Sequence, residues 1–352
     1  MNETALNAGT TPVRDGYRFD EARLAQWMAV NVEGFVGPLA VTQFKGGQSN
    51  PTYKLATPGH AYVLRRKPLG GAPGAHAVDR EARVMKALGG AGYPVPRVYG
   101  LCTDETVIGS WFYVMDCVEG RVFWSARFES VPAGGRRAYF SAMNETLASL
   151  HRLDPAALGL ADYGKTGNYF QRQISRWSRQ YHEDEIAGRD ANMERLIGWL
   201  AEAIPQNDET GIVHGDYRAD NMIFHPTEPR ILAVLDWELS TLGPPLADFT
   251  NHLMMYRLPP NVLSGLKGVD LAAENLPSEA AYIEEYCRRT GRESVADLSF
   301  YLAFALFRLA AIYHGIKARA LRGTAASAHA ESFAAAYPMI AALAWDEAGR
   351  RQ

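Results

Sequence analysis

The sequence predicts an α+β fold in two parts, a small strand-rich N-terminal part and a larger, mainly helical remainder. Three observations carry this. Between Leu39 and Val118 short runs of strand type recur: VTQFK, TYKLA, AYVLRRK, RVYGL and WFYVMDCV. After Gly120 the apolar spacing becomes helical, over 135–152, 168–186, 190–203, 244–256, 278–290, 296–321 and 325–345. One stretch, Ile212 to Trp237, interrupts those helices with the short apolar runs NMIF and ILAVLDW.

Taken in order, residues 1–16 (MNETALNAGTTPVRDG) hold no apolar run, so they are expected to form a disordered tail and no secretory signal. Asp20 to Val32 has helical spacing with Asp20 placed to cap it. GGQSNP and TPGH separate the first three strands, because Gly, Pro and Asn supply turn conformations. KPLGGAPGA is a loop, and His76 to Leu88 is expected to be the helix that follows it. The join between the parts falls near residues 115–120.

Composition narrows the partners. Apolar residues make up 47% and charged residues 21%, the balance of an ordinary globular protein, and the net charge of −3 gives no general reason to expect nucleic acid or a membrane. Cys102, Cys117 and Cys287 are odd in number and form no C-x-x-C, which suits a reducing cytoplasm better than a disulfide or zinc scaffold. Phe300 to Ile316 is apolar but broken by Arg308 and His314, so a buried helix is expected, not a span.

The chemistry concentrates in IVHGDYRADNMIF (212–224) and ILAVLDWE (231–238). Moving a phosphoryl group from ATP to a hydroxyl needs a carboxylate to orient the hydroxyl and take its proton, oxygen ligands for Mg2+, and a cation with backbone amides around the phosphates. Kinase catalytic loops place an Asn five residues after the catalytic Asp; Asp216 and Asn221 have that spacing, and Asp236 closes an apolar run as a second acid, fit to be the stronger metal ligand. A dinucleotide fold lacks support, because GGAG (89–92) follows a helix where that fold needs a strand.

HGDYRADN followed by LDWE resembles the aminoglycoside phosphotransferase and choline kinase-like family, a branch of the protein-kinase-like fold. GGQSNPTY, YVLRRKP, NYFQRQISRW and LSTLGPPLADF are most similar to stand-alone bacterial phosphotransferases and to the kinase-like domain fused to acyl-CoA dehydrogenases. The resemblance implies a two-lobed fold, with a small antiparallel-sheet N-lobe over 17–117 and a mainly helical C-lobe over 118–352. It implies a cytoplasmic small-molecule kinase that uses ATP and Mg2+, with no nucleic-acid or membrane partner.

It also assigns roles. Gly46, Gly47, Ser49 and Asn50 would form the turn over the nucleotide phosphates. Arg65, on the strand face of Ala61 and Val63, takes the place of the phosphate-binding Lys, with Arg66 and Lys67 open as register alternatives. Glu81 would pair with it. Met115, Asp116 and Val118 would form the adenine-binding hinge. Asp216 is the expected base, with Arg218 either neutralising phosphoryl charge or pairing with Asp220. Asn221 and Asp236 would hold the metal, and Glu238 a second one. His214 and Asp248 are expected to be structural.

The acceptor must be read from the helical part. Arg172, Arg176 and Arg179 share one helix face, and Ile174, Trp177 and Tyr181 another. This is either a solvated basic face or, with Arg172, Arg176 and Trp177 as contacts, the place where an anionic acceptor such as a hydroxyacyl-CoA or hydroxy acid meets the protein. Aminoglycoside, macrolide or choline-type acceptors are the alternative, although HEDE (182–185) is the only dense acidic run available for ammonium groups. A catalytically inactive binding module is a second alternative.

Overall fold

The computed structural model describes residues 9–45, 50–68, 77–206, 209–324 and 330–350. Its contacts divide the chain into two compact units. One comprises the chain up to Trp124 with Leu158–Leu160 and Asp220–Leu239; the other comprises Ser125–Ala157, Ala161–Ala219 and the chain from Ser240 onward.

In the first unit the elements are β1 (Thr10–Thr11), α1 (Glu21–Asn31), β2 (Ala40–Phe44), β3 (Thr52–Ala56), β4 (Ala61–Arg66), α2 (Val78–Gly90), β5 (Val98–Cys102), the single turn α3 (Glu105–Ile108) and β6 (Phe112–Asp116). The strands form one six-stranded antiparallel sheet in the order β1-β2-β3-β4-β6-β5. Asp20 caps α1 as expected, its Oδ1 accepting from Arg23 N at 3.0 Å. Leu24 and Met28 of α1 pack with Tyr53, Leu55, Tyr62, Leu64, Phe112 and Val114 in one fully enclosed core. Each such side chain contributes roughly 1.5–3 kcal/mol of burial. Because strand side chains alternate, Tyr62 and Leu64 commit one face of β4 to this core and leave Val63 and Arg65 on the other.

Two expectations are corrected here. Residues 9–16 are not a disordered tail. Thr10 and Thr11 pair with Phe44 and Gln43 at the sheet edge, and Arg14 donates from N and Nε to Gln43 Oε1 at 3.2 and 3.1 Å. That strand is held by backbone pairing and one buried amide, so no apolar pattern announced it.

The contiguous lobes 17–117 and 118–352 are also not how the contacts group. The antiparallel hairpin Met222–Phe224 and Ile231–Val234 belongs with the first unit. Val234 N donates to Pro94 O at 2.8 Å, and Arg121 and Phe224 exchange backbone bonds of 2.8 Å in both directions. Gly120 makes this approach possible, since a Cβ there would stand 2.3 Å from Phe224 O.

The second unit is built from α4 (Ala133–His151), α5 (Tyr169–Glu183), α6 (Ala191–Glu202), α7 (Pro245–Leu253), α8 (Glu279–Thr290), α9 (Leu298–Leu321) and α10 (Ala330–Ala348). A short antiparallel pair, Gly211–Val213 with Thr241–Gly243, was not foreseen, being too brief to show a period. Helix α9 packs against α5, α7 and α10. Its length and apolar composition would suffice to cross a membrane, but 78% of the apolar window is buried inside the protein, as expected of a core helix.

Candidate active site

In the first unit the open register on β4 resolves to Arg65. Its NH2 lies 2.7 Å from Asp236 Oδ1 and 3.2 Å from Glu238 Oε2, and its Nε lies 3.0 Å from Glu81 Oε2. Arg66 points into the opposite face, 1% exposed, with its guanidinium 5.7 Å from the Phe19 ring centroid. Glu81 comes from α2, is 1% exposed, and accepts from Tyr113 OH and Asn50 Nδ2, both at 3.0 Å. Asn50 Nδ2 also lies 3.3 Å from Glu238 Oε2. Asn50 is therefore turned inward as a bridge between carboxylates, not outward as part of a phosphate turn. Gly46, Gly47 and Ser49 lie outside the described residues.

One guanidinium facing three carboxylates leaves the cluster short of positive charge. Burial pushes the Glu81 carboxyl up to about 7; Arg65 opposes the shift and Asp236 adds to it. Burial works against the Arg65 charge as well, but Tyr113, Glu81, Asp236 and Glu238 outweigh it and hold Arg65 protonated. Asp236 adopts a left-handed φ of +64°, a conformation that costs energy for a non-glycine residue. Its neighbours hold it there: Leu235 N donates to Asn221 O at 2.8 Å and Trp237 Nε1 to Val234 O at 3.0 Å. The hairpin thus brings Asn221 and Asp236 to adjacent chain ends. Among the described residues no three acids converge as a ready-made cage. Asp236, Glu238 and Asn221 are instead the hard, oxygen-bearing set that suits magnesium, which takes one or two carboxylates and completes its shell from phosphates and water.

At the expected hinge, Met115 is buried and Asp116 accepts from Tyr99 OH at 2.6 Å through Oδ1. Asp116 N donates to Arg97 O and Cys117 N to Ala61 O, while Val118 N–H meets no acceptor among the described residues.

In the second unit Asp216 sits on a loop whose backbone is held by buried side chains. Asp248 of α7 accepts from His214 N at 2.7 Å and from Gly215 N at 2.9 Å, and His151 Nε2 faces the same carboxylate at 3.3 Å. Burial opposes the Asp248 charge, but the His151 hydrogen bond and charge, His214 and the Gly215 amide keep its carboxyl below the ordinary range. His214 is structural too, its Nδ1 accepting from Asp216 N at 3.1 Å. His252 Nδ1 lies 3.0 Å from Tyr217 O. Arg218 Nε stands 3.1 Å from Asp216 Oδ1, so the side chain expected near the base is beside it.

The basic face of α5 needs correction. Arg172 is spent on the loop before its own helix, donating to Lys165 O at 2.5 Å and to Gly167 O. It satisfies carbonyls ahead of the helix and leaves little of its fork for an acceptor. Arg176 is exposed and lies 5.2 Å over the ring of Trp177, which is 8% exposed.

Sequence reasoning missed Tyr113 and Arg308. Tyr113 pairs directly across from Arg65 on β6, so the sheet register would have found it. Arg308 was visible as a charge in an apolar helix, and such a charge must have partners. They are Gly215 O at 2.8 Å and Asn251 Oδ1 at 3.4 Å.

Residues 40–294 match the sequence model of the phosphotransferase enzyme family. The chain is 45% identical to acyl-CoA dehydrogenase family member 11 of Gallus gallus over 94% of its own length and 44% of that protein, and 42% identical to acyl-CoA dehydrogenase family member 10 of Mus musculus over 88% and 29%. It spans less than half the length of these curated relatives. A crystal structure from Ralstonia eutropha JMP134, provisionally described as an aminoglycoside phosphotransferase, superposes with a TM-score of 0.88 and 49% identity, covering 95% of this chain and 99% of that one. Aminoglycoside phosphotransferase APH(4)-Ia, in a ternary complex with AMP-PNP and hygromycin B, superposes with a TM-score of 0.61 at 16% identity over 94% and 99%, a likeness of fold.

Proposed function

This chain belongs to the phosphotransferase enzyme family, and on that premise we propose that it transfers the γ-phosphoryl group of ATP, with Mg2+, to a hydroxyl of a small molecule. The observation that supports the reading is the Arg65 contact with Glu81, Asp236 and Glu238, a cation able to meet phosphate beside acids able to take up a metal. Asp216 orients the acceptor hydroxyl and takes its proton as the oxygen attacks phosphorus and ADP leaves. Arg218 offsets charge that develops on the transferred group. Asn221 and Asp236 would hold the metal, with Glu238 beside them, and Mg2+ would supply charge neutralisation for the transferring group when bound. The adenine would lie against Met115, Asp116 and Val118, whose N–H meets no acceptor among the described residues.

The acceptor we favour is a hydroxyacyl-CoA or hydroxy acid. The names of the longer relatives support it, as does an arginine-bearing surface at Arg176 and Trp177. Aminoglycoside, macrolide or choline-type acceptors are the second reading, favoured by the solved structures. Against it, the HEDE run offers few free acids, since Asp184 already pairs with Arg322. An inactive binding module fits least, because Asp216, Asn221 and Asp236 are all retained. An ATP-fed reaction and three free thiols suit the cytoplasm.

The test is ATP consumption with magnesium across hydroxyacyl-CoAs with the hydroxyl at different carbons, free hydroxy acids, choline, sugars, aminoglycosides and macrolides. Turnover on the first two groups, with Mg-ATP affinity weakened in Asp236→Ala, is expected. Tight Mg-ATP binding without turnover on any acceptor would return the binding-module reading.

A further inference from the structure

We propose that Arg308 is a positioning residue for the base: it holds Asp216 in place through the peptide that joins it to Gly215. The inference rests on the phosphotransfer reading only for what Asp216 does, since the contact itself lies wholly within the second unit.

The peptide between Gly215 and Asp216 has two polar ends, and both are bonded. Its N–H, on Asp216, donates to His214 Nδ1 at 3.1 Å, and its C=O, on Gly215, accepts from Arg308 NH2 at 2.8 Å. The tilt of this plane sets φ of Asp216 and therefore the direction of its Cα–Cβ bond. His214 is part of the same loop and moves with it. Arg308 is not, for it lies 93 positions away in sequence on α9, the buried core helix. The next peptide back is tied to the framework separately, through Gly215 N to Asp248 Oδ1 at 2.9 Å. Gly215 itself has φ of +84°, so side-chain sterics do little to restrain this turn and hydrogen bonds must do it.

Arg308 is built for the task. It reaches two acceptors on separate elements, Gly215 O and, at the longer 3.4 Å, Asn251 Oδ1 of α7, and its guanidinium lies 6.0 Å from the Trp177 ring centroid of α5. Among the described residues no carboxylate stands within ion-pair distance of it. A part-buried guanidinium held by a carbonyl, an amide and an indole is therefore anchoring backbone and not closing a salt bridge. Lysine keeps the charge but not the planar fork that serves two acceptors at once. Glutamine keeps a donor but neither the charge nor the reach.

The experiment compares wild type, Arg308→Gln, Arg308→Lys and Asp216→Asn in the full chain. The readouts are steady-state Mg-ATP turnover, with water as the acceptor where no other is in hand, and hydrogen exchange of the peptides covering residues 210–220. Arg308→Gln should lower kcat by about 10- to 100-fold, the cost of a misplaced reacting group, with KM for ATP held to within ~3-fold. Arg308→Lys should recover part of that loss. Loop exchange should quicken in Arg308→Gln while α4 and α8 keep their protection.

A kcat near that of wild type in Arg308→Gln overturns the proposal. So does a loss confined to KM, or exchange that rises uniformly with a falling melting temperature, which is what a merely structural arginine would give. Should Arg308→Gln not fold, Arg308→Lys decides by the same two readouts. Failure of wild type and Asp216→Asn to differ in turnover would sink the phosphotransfer reading, and loop exchange would still judge Arg308.

Discussion

Arg65 NH2 stands 2.7 Å from Asp236 Oδ1, so the cation of the sheet and the acid of the LDWE segment are direct partners. Nucleotide phosphates and a metal would compete for both. On the proposed reading Arg65 would exchange part of its contact with Asp236 for phosphate oxygens while its contact with Glu81 persists.

Replacing Arg65 by Met should therefore be costly twice. Glu81 would be left buried without its cation, and breaking a buried pair from one side costs about 3–5 kcal/mol. Urea unfolding should register that loss, and Arg65→Met/Glu81→Gln should recover much of it because the two changes are coupled. Nucleotide affinity should stay low in both variants.

On the proposed mechanism Asp216→Asn removes the proton acceptor while keeping shape. Transfer should fall by about 10²- to 10⁴-fold, and ADP affinity, measured by titration calorimetry, should change by less than ~3-fold. A fully active Asp216→Asn enzyme would remove Asp216 from the role of base.

His252 gives a pH dependence with a definite sign. Burial pushes its imidazole down to about 4 from 6.5, with only partial opposition from Tyr217 O and Asp248. The unfolded chain thus binds the proton more readily than the folded one. The stability contributed by neutral His252 is present above pH 6.5 and is lost as the pH falls from 6.5 toward 4, by about 3 kcal/mol. Urea midpoints taken from about pH 7.5 to about pH 4.5 should fall more steeply for wild type than for His252→Gln. Parallel slopes would contradict the assignment.

Gly120→Ala tests the place of the hairpin in the first unit. A methyl there would lie 2.3 Å from Phe224 O and 2.5 Å from Ile223 Cγ2, and backbone cannot yield cheaply. A loss of roughly 1–3 kcal/mol is expected. Gly134→Ala, which meets nothing within 4 Å near the start of α4, should be neutral or gain about 0.5–1 kcal/mol. Equal melting temperatures for the two variants would argue against the close approach at Gly120.

Local features are legible in the sequence itself. Asp20 caps the helix that its position announces, because capping needs only a local acceptor beside free amides. Spacing alone singles out Asp216, Asn221 and Asp236, and the hairpin brings Asn221 and Asp236 to adjacent chain ends. Arg65 was chosen by alternation, but neighbouring Arg66 and Lys67 kept the register open until Tyr62 and Leu64 were seen to enter the core. Asn50 and Arg172 were given ligands by sequence and turned out to be bonded within the protein, because which way a polar side chain turns depends on partners far along the chain.

By itself the sequence determined the two-part α+β plan, most of the longer elements, and the residue types able to perform phosphoryl transfer. These follow from periodicity, capping and motif spacing, all of which act over a few residues. Only the tertiary structure decided that Asp220–Leu239 joins the first unit, that Arg65 meets three carboxylates, and that Arg308 reaches the Gly215 carbonyl. Each of those depends on contacts between positions tens to hundreds of residues apart. Such contacts are chosen by the need to satisfy buried charge and backbone groups at once, and no local pattern encodes that.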